Sequence, residues 1–413
     1  MQPLTDHRSA KLPFVVLVLA TGTFLMGTTE FVIAGLLPEI ADDLAVSVSH
    51  TGLLITAFAA GMIVGAPVMA IATLRLPRRS TLVLALTVFA LGHVVAVLSP
   101  SFALVLAARV VTALATGAFW CVGAVVATTA AGPAATSRAL GLLLGGMTVA
   151  NVAGVPLGAW LGQVSDWRAP FWVLAVLSAG AALVIGRFIP DEEQREGRSV
   201  RAECAALRQA RVWLALSAIA LLLGGVLAAY TYISPLLTER AGIPVAAVPL
   251  VLTGYGVGAL LGTTVGGRLG DRWPLATLVT AAAASTLVLL LLVFFSTSAV
   301  ATVVLVTVTV MGVTGFAAAP VLGALVMRFA GSAPTLASAL ASSSSNVGIA
   351  LGSWVAGVAL ASPLGQAGPP LVGTVTAALT LVPLTALALM RATRSDDRAA
   401  AGGPSPRGRG RVG

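Results

Sequence analysis

Cut at its charged residues, the chain falls into ten uninterrupted apolar stretches: 12–29, 44–74, 80–108, 110–137, 139–165, 169–186, 212–238, 241–267, 273–327 and 329–390. A helix needs about 20 apolar residues to cross a bilayer. The last two stretches are about twice that length. Each is broken by turn residues, Phe295-Ser296-Thr297-Ser298 in one and Ser362-Pro363-Leu364-Gly365 through Pro369-Pro370 in the other. Twelve spans are therefore expected. A soluble globule is excluded, because 58% of the residues are hydrophobic and 9% are charged, a balance that a water-facing surface cannot accommodate. The first apolar run follows Lys11 and meets Glu30 rather than a small-residue cleavage site, so it is expected to stay as a span instead of being removed as a secretory signal.

The net charge of +9 does not point to nucleic acid, since the bases are scattered between apolar stretches without interleaved aromatics. They read as topology signals. Arg8, Lys11, Arg75, Arg78, Arg79, Arg138, the six Arg from Arg187 to Arg211, Arg268, Arg272, Arg328 and the six Arg after Met390 fall on one side; Arg168 and Arg240 fall on the other. The positive-inside rule then predicts a multi-pass protein of the plasma (cell inner) membrane with both termini in the cytoplasm. Cys121 and Cys204 lack any disulfide or metal-ligand spacing, and no cofactor is expected.

Residues 190–210 form the only internal run dense in both charge signs. They read as a cytoplasmic linker between an N-terminal six-helix bundle, 1–189, and a C-terminal one, 211–393. The composition of 394–413 predicts a disordered cytoplasmic tail. The halves repeat. Arg75 and Arg272, Pro77 and Pro274, Thr56 and Thr253, Gly61 and Gly258, Gly65 and Gly262, and Pro38 and Pro235 are all 197 residues apart, and Asn151-Val152 matches Asn346-Val347 at 195. Parallel repeats of this kind predict an all-α membrane protein of two pseudo-symmetric six-helix bundles, with a site near the bilayer midplane between them and rocking of one half on the other.

The first span reads Gly27-Thr28-Thr29-Glu30-Phe31, then Gly35-Leu36-Leu37-Pro38-Glu39-Ile40-Ala41. This resembles the signature of twelve-span drug:proton antiporters of the major facilitator superfamily. Ala57-Phe58, Gly61-Met62 and Gly65-Ala66-Pro67, closing with Arg75-Leu76-Pro77-Arg78-Arg79, look closest to the chloramphenicol-resistance exporters of that group. The resemblance covers nearly the whole chain. It implies a secondary exporter driven by the proton gradient, working as a monomer on a small-molecule drug.

An ionisable side chain inside a span is costly and faces the bundle interior or a water-filled cavity, which makes Glu30 the first proton-coupling candidate. Arg109 lies at a matching depth in span four, roughly 10–12 Å from the outer end at 1.5 Å per residue, and is expected to pair with Glu30 or a nearby polar group. In the family, an Arg in this span belongs to a motif implicated in proton transfer; Thr112 and Ala113 stand where that motif usually has Gln and Gly. His93 in span three is at similar depth and could titrate. Leu227 occupies the position matching Glu30 in the second half, so one acid, one proton per cycle and a neutral substrate are expected.

Span five carries Gly145, Gly154, Pro156, Gly158 and Gly162, small residues that let backbones approach and that resemble the superfamily's antiporter motif. Ala159 holds the motif's usual proline position. Gating is expected from Arg75, Arg78 and Arg79 after span two and from Asp271 and Arg272 after span eight. In the family these loops pair with neighbouring helix ends, and here Leu74 replaces the aspartate of the first copy. Ligand sites of this kind are apolar and aromatic with a few polar groups. The substrate-binding candidates are Phe31, Trp120, Asn151, Tyr230, Tyr232, Tyr255, Phe316 and Asn346. Export of sugars or nucleosides would call for more polar residues in the cavity. A membrane-embedded enzyme would need a nucleophile or metal pair at depth, and a scaffold has no use for matched ionisable groups.

Overall fold

The computed structural model describes residues 13–72, 76–132, 135–189, 209–295, 301–330 and 334–390. Among these residues, twelve helices are long and apolar enough to cross a membrane, as the spacing of turns and charges predicts. They are α1 (Phe14–Gly35), α2 (Val48–Met69), α3 (Arg78–Leu98), α4 (Phe102–Ala131), α5 (Arg138–Val164), α6 (Ala169–Phe188), α7 (Ala210–Thr231), α8 (Val245–Arg272), α9 (Pro274–Phe294), α10 (Thr302–Ala330), α11 (Ala337–Ala361) and α12 (Gly365–Met390). No strand occurs among the described residues. The expected linker 190–210 and tail 394–413, and Arg75, fall largely or wholly outside the described residues.

Because the chain alternates direction, one membrane face carries the 2–3, 4–5 and 8–9 turns and the connection at 190–208. We call it the linker face, and the opposite one the far face. The turn expected after Ser362 is present: α12 opens on a 3-10 turn, Gly365–Ala367, just after α11 ends at Ala361, and Gly365 adopts a φ of 53° that a side chain would strain.

The sequence repeat has a packing counterpart. In the first half, a Cβ on Gly61 of α2 would lie 3.1 Å from the Val110 carbonyl of α4; in the second, a Cβ on Gly258 of α8 would collide with the Thr309 carbonyl of α10. The repeated glycines thus let the second helix of each half seat its backbone on the fourth. The halves then join along two related seams. In one, Ser49 donates to the Gly357 carbonyl at 2.6 Å and the Thr56 and Ser353 hydroxyls meet at 2.7 Å, joining α2 to α11. In the other, α8 lies against α5, where a Cβ on Gly256 would overlap the Asn151 carbonyl. These are equivalent helix pairs with the halves exchanged, as a twofold axis along the membrane normal requires.

Candidate functional site

α1 does not run as a regular helix through the membrane. Its α-helical part ends at Phe31 and continues as a 3-10 turn, Val32–Gly35. The last three α-helical residues face three different surroundings.

Thr29 points into the first bundle. His93 of α3 lies with Nδ1 2.7 Å from the Phe89 carbonyl. A carbonyl can only accept, so Nδ1 carries the proton and, in the neutral ring, Nε2 is an acceptor. Thr29 fills that role as donor, with Oγ1 2.8 Å from Nε2. Arg109 of α4 donates from Nη1 to the Thr29 carbonyl (3.1 Å) and Oγ1 (3.2 Å), and from Nε to the Leu54 carbonyl of α2 (3.3 Å). The guanidinium lies over the Phe58 ring at 4.3 Å, a cation–π contact of about 0.5–2 kcal/mol. Arg109 is 3% exposed and its Nη2 has no hydrogen-bond partner. His93 is held on both sides by the rings of Phe89 (4.3 Å) and Phe171 (5.8 Å). A small space bounded by Ile33, Ile40, Val105 and Trp167 separates this network from the far face.

Glu30 follows, partly exposed. Arg109 acts on it through space, yet among the described residues the two form no ion pair. Of the two arrangements expected for Arg109, the structure has the second: a neutral polar partner, Thr29, holds it.

Phe31 turns toward the second half and meets Tyr230 of α7 edge-on at 6.1 Å. Tyr230 stacks on Tyr255 of α8 at 4.2 Å, and Tyr255 meets Phe316 of α10 at 6.1 Å. Four of the eight substrate candidates therefore form one chain of rings across the two halves, and each ring pair contributes about 0.5–1.5 kcal/mol beyond its buried area. The Tyr255 hydroxyl is buried without a partner.

The other four candidates lie elsewhere. Asn151 sits in a π-turn, Ala150–Gly154, and bonds back to the Met147 carbonyl; its own carbonyl faces Gly256. Asn346 donates to the Ser342 carbonyl at 3.0 Å and leaves Oδ1 unpartnered. Trp120 packs on a separate first-half core around Phe119 and Leu19. Tyr232 is two residues from Tyr230 but is carried away because α7 stops at Thr231. Its hydroxyl sits at the far face, 3.2 Å from the Ser353 carbonyl and 3.4 Å from that of Ser49. It is enclosed by Gly52 and Gly357, where a Cβ would fall 2.0 and 2.4 Å from the oxygen. The far face is closed further by Arg168, which pairs with Asp43 at 2.7 Å; this hydrogen-bonded pairing holds the Asp43 carboxyl below its usual range.

On α5, Gly154, Gly158 and Gly162 lie against Thr28 and Val32 of α1 and Leu36 just past its end, at four-residue spacing in both segments. Pro156 is buried on the same helix. Gly145 meets nothing within 4 Å; its neighbour Gly146 makes the close approach, to the Ala20 carbonyl. At the linker face, Arg79 bonds the Gly186 carbonyl and Arg78 approaches Thr129 at 3.4 Å. Asp271 and Arg272 end α8 exposed, in no ion pair among the described residues.

Two features were not foreseen. Thr29 carried no signal beyond its place beside Glu30. A cavity of about 150 Å³ on the linker-face side of the ring chain is lined by Leu222 and Leu223 of α7, Gly315 and Leu322 of α10, and Ser342 and Ser345 of α11. Its wall is apolar and dotted with hydroxyls.

The Major Facilitator Superfamily matches residues 19–252. The chain is 38% identical over 362 residues to a chloramphenicol resistance protein of Streptomyces lividans, covering 87% of this chain and 92% of that one. It is 34% identical to the inner membrane transport protein YdhP of Escherichia coli (strain K12), covering 90% and 95%. Its fold overlays that of the nucleoside transporter NupG with a TM-score of 0.76 at 14% identity, covering 92% of this chain and all of that one. The twelve helices, the paired seams and these relatives agree: the chain belongs to the Major Facilitator Superfamily and is a membrane transporter, not an enzyme.

Proposed function

We propose that the chain is a proton-coupled exporter of a small, amphipathic, neutral drug, with chloramphenicol the first candidate substrate. The observation that carries this reading is the position of Glu30 between two commitments. The residue before it joins the Arg109 network, and the residue after it joins the ring chain that reaches the second half. A change of charge at Glu30 therefore acts on both halves through one short stretch of α1. The chloramphenicol assignment draws on the Streptomyces relative and on the apolar, hydroxyl-bearing cavity beside the rings.

The excess of basic residues on the linker face supports placing that face in the cytoplasm. The contacts around Tyr232 and Arg168 then close the outer side, and the cavity lies toward the inner one. In this state a drug binds from the cytoplasmic side against Tyr230, Tyr255 and Phe316. Exchange of the proton on Glu30 is coupled to the rocking that opens the far face and releases the drug outside. Binding a neutral drug and a proton in opposite directions moves one net charge per cycle.

Accumulation of labelled chloramphenicol in an efflux-deficient bacterial host tests this, comparing empty vector, the native chain and Glu30→Gln, each with and without a protonophore. The expected result is low accumulation with the native chain alone, reversed by the protonophore and by Glu30→Gln. Accumulation equal to that of empty vector, with the protein present in the membrane, would refute the substrate.

A further inference from the structure

Thr29 has one hydroxyl proton and two neighbours that need different things from it. His93 Nδ1–H is committed to the Phe89 carbonyl, so Nε2 requires a donor, and Thr29 is that donor. The hydroxyl oxygen then has only lone pairs to offer, and Arg109 Nη1 takes one of them. A side chain without a hydroxyl satisfies neither neighbour.

The guanidinium is incompletely served. Nε and Nη1 are bonded, but Nη2 is buried without a partner, and an unsatisfied charged donor is expensive in a low-dielectric interior. Among the described residues, the other helices around it bring no anion. α2 contributes the Leu54 carbonyl and the Phe58 ring, α3 contributes His93, and α6 contributes Phe171, which packs on His93. Among the described residues, the one acid acting on Arg109 is Glu30, the residue after Thr29. Arg109 is thus held apart from a carboxylate that acts on it through space, by a neutral hydroxyl whose own orientation is fixed by His93.

We propose that Thr29 is a positioning residue for proton exchange: its hydroxyl, oriented by His93, holds Arg109 off Glu30, leaving Nη2 free to receive the carboxylate once Glu30 gives up its proton. This rests on the reading of Glu30 as the proton-exchanging group. The hold is a single hydrogen bond to an uncharged hydroxyl in addition to backbone carbonyls, so it yields to a carboxylate, whose full charge bonds a guanidinium more strongly. Thr29 sets the threshold between the two arrangements. Without the hydroxyl, Arg109 settles on Glu30, the ionised carboxylate is favoured, and more acid is needed to load it.

Infrared titration of the purified full chain tests this through the protonated-carboxyl band that Glu30→Gln removes. Thr29→Val keeps the shape of the side chain and loses the hydroxyl; Thr29→Ser keeps the hydroxyl and loses the methyl. The expected result is a midpoint about one pH unit lower in Thr29→Val, a tenfold change in proton occupancy, and an unshifted midpoint in Thr29→Ser. A packing role gives the reverse order, with Val tolerated and Ser impaired. An unshifted Val midpoint, equal shifts in both variants, or no titrating band assigned to Glu30 would each overturn the proposal. Thr29→Ala, also without a hydroxyl, reads the same way should the Val variant fail to fold. The titration needs no drug, so an incorrect substrate leaves it readable, and an unshifted Val midpoint leaves the export result standing.

Discussion

Gly357→Ala is expected to loosen the far face without touching the ring chain or the Arg109 network. The added methyl falls 2.4 Å from the Tyr232 hydroxyl oxygen, about 1 Å inside the closest ordinary contact, so the hydroxyl must move. It then leaves the Ser353 carbonyl at 3.2 Å and that of Ser49 at 3.4 Å. One hydroxyl proton shared between two carbonyls contributes about 1 kcal/mol, and forcing a methyl into a filled site adds about 1 kcal/mol or more. A penalty of about 1–2 kcal/mol confined to the far-closed state shifts the two-state population five- to thirtyfold toward far-open forms. Spin labels on Ala103→Cys at the start of α4 and Ala246→Cys at the start of α8, both exposed at the far face, read this as growth of the longer-distance population. Tyr232→Phe, which removes the oxygen but keeps the ring, should move the same distribution in the same direction by a smaller amount. An unchanged distance distribution in Gly357→Ala would show that the Tyr232 contact does not hold the face shut.

Two further expectations follow from the geometry. The Asp43–Arg168 pair lowers the Asp43 pKa, so its contribution to far-face closure is complete at neutral pH and is lost only as acid titrates below the usual carboxylate range, about 4. The spin-label distances should therefore stay constant from pH 8 to about 5 and lengthen below about 4, and Arg168→Gln should remove that acid step. Tyr255→Phe deletes a buried hydroxyl that has no partner and should leave thermal stability unchanged or raise it by about 1 kcal/mol; if the hydroxyl binds substrate, the same variant raises the drug concentration for half-maximal export.

The legible parts of the sequence were those whose physics is one-dimensional. Charges cost free energy in lipid wherever they sit, so cutting the chain at them located the helices, and the same cost singled out Glu30, Arg109 and His93 before any contact was known. The repeat was also legible, because Gly61 and Gly258 meet the same requirement in each half: backbone approaching backbone. Side-chain direction was not. Tyr230 and Tyr232 look alike in sequence, but the helix ends between them, sending one to the ring chain and the other to the far face. Gly145 and Gly146 differ by one position, and the close contact belongs to the second. Thr29 is an ordinary small polar residue until the tautomer of His93 is fixed by a carbonyl on another turn of α3. These are consequences of three-dimensional arrangement that no spacing rule encodes.

The division of the site between the halves bears on how such a chain changes over time. Among the described residues, the acid, guanidinium and imidazole at the heart of the spans, Glu30, Arg109 and His93, all belong to the first half. Three of the four rings in the aromatic chain, and all the residues lining the cavity, belong to the second. Substitutions in α7, α8, α10 and α11 can therefore reshape what the cavity accepts while leaving the ionisable network unaltered. Phe31 is the first half's only ring in that aromatic chain, and any such remodelling must still fit against it.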